Sequence, residues 1–75
     1  MHRYKTADKN TGVIAYETGA DSISIKFRDG SVYLYTSAST GANAIAAMKQ
    51  LAAKGEGLTT YINQHVREKY AVRLH

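Results

Sequence analysis

The clearest pattern in the chain is a strict polar/apolar alternation, Ser22-Ile23-Ser24-Ile25-Lys26-Phe27-Arg28, interrupted by Asp29-Gly30 and resumed in Ser31-Val32-Tyr33-Leu34-Tyr35. A period of two puts successive side chains on opposite faces of a strand, and glycine supplies the positive φ that a tight turn needs, so the run predicts a β-hairpin. With Asp29 and Gly30 as a two-residue loop, Arg28 faces Ser31, Phe27 faces Val32, Lys26 faces Tyr33, Ile25 faces Leu34 and Ser24 faces Tyr35. One face then holds Ile23, Ile25, Phe27, Val32 and Leu34 and is the expected core. The other holds Ser24, Lys26, Arg28, Tyr33 and Tyr35. Upstream, Val13-Ile14-Ala15-Tyr16 is a β-prone run closed by the turn-forming Glu17 to Asp21, which makes a first strand and a three-stranded meander.

Past Thr36 the period changes. Residues 36–40 form a polar connection in which Ser39 or Thr40 is the expected helix cap. Ala44, Ile45, Met48, Leu51 and Ala52 then fall on one side of a helical wheel, opposite Asn43, Gln50 and Lys54, predicting an amphipathic helix over about 41–54 that Gly55 ends in an αL conformation. After Gly57, Thr59-Thr60 is placed to cap a second helix with an apolar stripe of Ile62, Val66 and Tyr70, spaced i, i+4, i+8. Lys69 and Arg73 would meet the same face one turn on, so the helix is expected to stop near Tyr70 and leave 71–75 as a basic tail. The expected fold class is α+β: a three-stranded antiparallel meander followed by two α-helices, βββαα, in one small domain over 1–75.

Composition narrows this further. With 75 residues the chain is too short for architectures assembled from βαβ units of roughly 30 residues each. Without cysteine it has no disulfide framework and no thiolate zinc site. His2, His65 and His75 share no metal-ligand spacing, so neither metal nor cofactor is expected. No apolar run approaches the roughly 18 residues of a membrane span, and Met1-His2-Arg3-Tyr4-Lys5 does not lead into a signal-peptide core, so a cytoplasmic protein with no membrane partner is expected. The formal charge of +4 is unevenly distributed. Arg3, Lys5 and Lys9 against Asp8 make residues 1–10 basic, and Arg67, Lys69 and Arg73 against Glu68 do the same for residues 65–75. The middle of the chain is neutral.

A Tyr-ended first strand, an F-x-x-G turn at Phe27 to Gly30, a central Tyr33-Leu34-Tyr35 and a closing Tyr-Ile-Asn-x-x-Val-Arg-x-x-Tyr from Tyr61 to Tyr70 follow one another in this order. In that order and spacing the chain resembles the KTSC domain over about residues 13–70. That short module is named for its occurrence at the carboxyl end of some lysyl-tRNA synthetases, and is found more often as a stand-alone bacterial or phage protein. The resemblance implies no established activity, and RNA binding is suggested by the attachment to a synthetase. The chain departs from the family's pattern in the Ala-rich stretch Gly41 to Ala53, and in a spacer, Lys54 to Thr60, without the Ser-x-Gly-x-aromatic run before the asparagine.

Candidate chemistry concentrates on Tyr33 and Tyr35 with Lys26 and Arg28 across the strand pair. Bases of single-stranded nucleic acid stack on aromatic rings at about 1–3 kcal/mol each while cations follow the phosphates. Arg67 and Lys69 join this set if the helix end folds back onto it; cations at a helix carboxyl terminus are equally accounted for by the helix dipole. The same tyrosines also fit ordinary cross-strand packing under a helix or a protein interface, because Tyr and Arg are enriched at hot spots. Gly55-Glu56-Gly57 lacks the strand, third glycine and lysine of a phosphate loop, and no Ser sits in a G-x-S-x-G context. A non-enzymatic binding module is therefore expected. It is either an RNA or single-stranded nucleic-acid binder using Tyr33, Tyr35, Lys26, Arg28, Arg67 and Lys69, or a protein-interaction module, homodimer or small inhibitor using the same tyrosines and the Ala-rich helix.

Overall fold

The computed structural model describes residues 1–4 and 12–75; Lys5, Asp8 and Lys9 of the basic amino-terminal segment lie outside the described residues. The fold is a small mixed α/β arrangement in which helices pack on an antiparallel sheet. It has five strands rather than the expected three: β1 (His2–Arg3), β2 (Val13–Thr18), β3 (Ser22–Phe27), β4 (Val32–Thr36) and β5 (Val72–Arg73), in the spatial order of the sequence. Between β4 and β5 lie α1 (Ser37–Thr40), α2 (Ala42–Lys54) and α3 (Leu58–Tyr61), the last running on as a π-helical turn over Ile62–Val66. The two added strands are the chain ends. The carboxyl-terminal segment, expected as a tail, pairs its Arg73 and Val72 with Tyr33 and Leu34 of β4. Val72-Arg73-Leu74 is itself a short apolar/polar alternation, and β4 offers it an otherwise open edge.

The hairpin forms, but one residue out of the expected register. Lys26 pairs with Val32, Ile25 with Tyr33, Ser24 with Leu34 and Ile23 with Tyr35. The loop has three residues, not two: the Gly30 amide donates to the Phe27 carbonyl at 2.9 Å, and the Phe27 amide donates to the Ser31 carbonyl at 2.8 Å. Asp29 holds this longer loop closed, its Oδ1 accepting from the Ser31 amide at 2.9 Å and the Ser31 hydroxyl at 2.6 Å. Gly30 takes φ 92°, giving a turn followed by a glycine bulge. A slip of one residue turns every side chain of a strand over. Tyr33 and Tyr35 therefore join Ile23 and Ile25 on the helix-covered face, while Val32 and Leu34 move to the opposite side with Lys26 and Ser24.

A second irregularity acts the same way in β2. Val13 pairs with Phe27 and Ala15 with Lys26, so Ile14 is a bulge residue, and both Val13 and Tyr16 face the helices although they are three apart. One continuous row of this face runs His2, Tyr16, Ile25, Tyr33, Arg73 across all five strands.

The core joins Val13, Ile23, Ile25 and Tyr35 of the sheet to Ile45, Met48 and Ala52 of α2 and to Leu58, Ile62 and Val66 beyond it. Helix α2 has the expected extent, and Gly55 ends it at φ 83°, its amide donating to the Leu51 carbonyl. The caps differ from expectation. Thr36, not Ser39 or Thr40, caps α1 in a reciprocal capping box with Ser39, Gly41 precedes α2, and α3 starts at Leu58 after Gly57, leaving Thr59 and Thr60 inside it. Tyr4 closes the core from the amino-terminal side, its buried hydroxyl accepting from the Leu58 amide at 3.3 Å. Among the described residues no helix is long and apolar enough to cross a membrane.

Candidate binding cleft

The register that buries Tyr35 also builds a cleft. Tyr33 and Tyr35 project toward the π-helical turn; the chain leaves that turn at Arg67 and returns to the sheet through Tyr70. Between these elements lies a cleft of about 480 Å³, walled by Phe27, Tyr33, Tyr35 and Tyr70 and rimmed by Arg28 and Arg67, by the carboxylates Asp29 and Glu68, and by Asn63. Four aromatic rings meet in it. Phe27 presents an edge to Tyr33 at 5.6 Å between centroids, Tyr70 lies tilted against Tyr33 at 4.7 Å, and Tyr35 meets Tyr70 edge to face at 6.3 Å. Such geometries add about 0.5–1.5 kcal/mol per pair beyond area burial. The Arg73 guanidinium lies 5.7 Å from the centre of the Tyr33 ring, a cation–π contact delivered by the pairing of β5 with β4.

The structure brings four of the six expected site residues together and separates the other two. Tyr33, Tyr35, Arg28 and Arg67 line the cleft. Lys26 does not, because its register partner is Val32 and both point to the helix-free face. Lys69 lies on a second cleft of about 450 Å³, beside the start of α2 and the ring pair Tyr61 and His65, tilted at 39° with centroids 4.8 Å apart. The expected roles of the two tyrosines also change. Tyr35 is 1% exposed and belongs to the floor, and Tyr33 is half-buried beneath Tyr70 and Arg73. The ring open to solvent is Tyr70, at 39% exposure.

Phe27, Asn63, Tyr70 and Arg73 were not among the expected site residues. Tyr70 carries i+4 spacing from Val66 and so reads as core; only the end of the helical turn before it frees the ring. Burial, reinforced by the neighbouring Tyr33 and Tyr70, pushes the Tyr35 phenol up to about 12, so it stays protonated near neutral pH. Hydrogen bonds from the Ser31 hydroxyl and amide hold the Asp29 carboxyl below its ordinary value, with a smaller effect from Arg73. Arg67 and Arg73 form no ion pair among the described residues. Among those residues no group of three or more His, Cys, Asp or Glu is placed to hold a metal ion. Compared with known proteins, the chain matches no family model, no curated protein and no solved structure.

Proposed function

We propose that the protein is a small non-enzymatic binding module for RNA or single-stranded nucleic acid, with one unstacked base lying on Tyr70 and the adjoining phosphates met by Arg67, Arg73 and Arg28. The observation that carries this reading is the exposed Tyr70 ring, backed by Tyr33 and flanked by guanidinium groups at one cleft. A base has a face for Tyr70, and Asn63 on the rim offers both donor and acceptor to its edge. The resemblance to the KTSC domain supports the same reading. Binding is weak: with two or three phosphate contacts, log K falls with log salt at a slope of about −1.4 to −2.1. Anisotropy of a labelled single-stranded oligonucleotide, titrated at several salt concentrations, tests it. Tyr70→Ser should lower affinity by about 1–3 kcal/mol. Absence of binding at low salt, or a Tyr70→Ser variant that binds like the wild type, overturns it.

A second reading, association of two copies, is favoured by Val72 and Leu74, which are 45% and 54% exposed, with Val72 beside Leu34 on the helix-free face. It no longer involves Tyr35, which the core has taken. Molecular mass across a concentration series decides it.

A further inference from the structure

The backbone of the segment that carries Tyr70 is tied to the rest of the fold at its two ends, and between them the Tyr70 ring packs against Tyr33 and Tyr35. On its amino-terminal side the Thr40 hydroxyl donates to the Lys69 carbonyl at 2.7 Å. On its carboxyl-terminal side the Ala71 amide donates to the Leu34 carbonyl at 2.7 Å, and the Leu74 and His75 amides both donate to the Val32 carbonyl, at 2.7 and 3.2 Å. Every residue from Arg67 to His75 is exposed. Strand β5 has only two residues, against five in β4. An edge element with so little buried surface opens at a small fraction of the cost of global unfolding. Yet it places Tyr70, which lines the cleft, against Tyr33, and Arg73 over the same ring. When β5 leaves β4, Arg73 loses Tyr33, and Tyr70 is left with its ring contacts to Tyr33 and Tyr35 and the Thr40 tether in place of a segment fixed at both ends.

We propose that residues 70–75 are a closing strap, and that pairing of β5 with β4 and occupation of the cleft by a single-stranded nucleic acid form one coupled equilibrium. The proposal rests on the nucleic-acid reading of the cleft. A ligand that touches Tyr70 and Arg73 binds the paired state more tightly than the open one, so it must draw the strap closed. By reciprocity, anything that opens the strap weakens the ligand by the same factor. The strap also places one carboxyl-terminal cation: Arg73 reaches Tyr33 only through this strand.

The test uses the full chain and a single-stranded oligothymidylate at low salt. Amide hydrogen exchange at Ala71 and Leu74 should slow severalfold when the oligonucleotide is added, while the Ile25 amide in the central strand serves as an internal reference. Ala71→Pro removes the donor to the Leu34 carbonyl from an exposed position outside the core. It should weaken binding about fivefold to tenfold, the effect of one hydrogen bond of ordinary strength, with the thermal midpoint little changed. Thr40→Val, which removes the other tether, should act in the same direction. Binding that leaves exchange at Ala71 and Leu74 unchanged, or that Ala71→Pro and Thr40→Val leave at wild-type strength, overturns the strap while the reading of the cleft stands. Absence of binding by the wild type overturns both.

Discussion

The one-residue shift in the hairpin makes a quantitative demand on two neighbouring side chains. Tyr35 is 1% exposed against Ile23, whereas Leu34 is half-buried on the face without helices. Truncating a fully buried aromatic side chain costs about 3–5 kcal/mol, so Tyr35→Ala falls in that range. Leu→Ala costs about 2–5 kcal/mol at full burial, and Leu34, partly exposed on a face that no helix covers, falls toward the low end at about 1–3 kcal/mol. A domain of this length has roughly 4–11 kcal/mol of stability in all, so Tyr35→Ala removes a large part of it and Leu34→Ala a small part. Urea unfolding followed by far-ultraviolet circular dichroism separates them. With a slope of about 1 kcal/mol/M, the two midpoints should differ by about 2 M. In the register of a two-residue Asp29-Gly30 loop the order reverses, because Leu34 then faces the core and Tyr35 faces solvent. A Leu34→Ala variant that loses as much as Tyr35→Ala, or more, refutes the bulged loop and the cleft built on it.

Three further outcomes follow from the same geometry. Gly30→Ala should cost about 1–2 kcal/mol, all of it backbone strain at φ 92°, since no atom lies within 4 Å of an added Cβ; a neutral result in urea melts would mean that the loop does not hold that conformation. Tyr4→Phe leaves the buried Leu58 amide without its acceptor, an expected loss of about 1–3 kcal/mol that thermal melts should resolve. Because the Tyr35 phenol lies at about 12 when folded against 10.0 ordinarily, its contribution is intact below pH 10 and declines as the pH rises toward 12. The unfolded chain loses its proton first. At 1.36 kcal/mol per unit the loss is at most about 2.7 kcal/mol, and less where cleft water screens the hydroxyl. Tyr35→Phe should flatten the alkaline fall of the urea midpoint, and an unchanged slope would contradict the burial of that hydroxyl.

Elements with strong local signals were legible in the sequence: the hairpin, the extent of α2 and its Gly55 terminus. Each follows from a pattern within a few residues. The face assignment of β4 was not, because two- and three-residue loops around Asp-Gly both satisfy the alternation, and Val32/Leu34 compete with Tyr33/Tyr35 for the same core. The choice fell to Asp29, whose carboxylate holds Ser31 across the longer loop. Residues 71–75 were misread for a different reason. Two residues of strand carry almost no periodicity, and their pairing depends on β4 offering a free edge, which is a property of the assembled sheet. For the site, Tyr33, Tyr35, Arg28 and Arg67, singled out by residue type, line one cleft, whereas Lys26 was lost with the register and Lys69 lies on a second cleft.

The excess of +4 overstates the field at the cleft. Strands follow one another in sequence order, so the two chain ends lie on opposite edges of the sheet. Four strand spacings of about 4.8 Å put β1 roughly 19 Å from β5. That is about twice the Debye length of roughly 8–10 Å at physiological ionic strength, so Arg3 is screened from a ligand held at Tyr70. The carboxyl-terminal cations act locally, because Arg67 lines the cleft and β5 fixes Arg73 over Tyr33. Arg3→Ser should therefore leave the salt dependence of oligonucleotide binding unaltered, while Arg67→Ser and Arg73→Ser should each flatten the slope by about 0.7, the contribution of one phosphate contact on a single strand. An Arg3→Ser effect equal to theirs would mean that a ligand spans the sheet from edge to edge, and that the cleft is only part of the surface it uses.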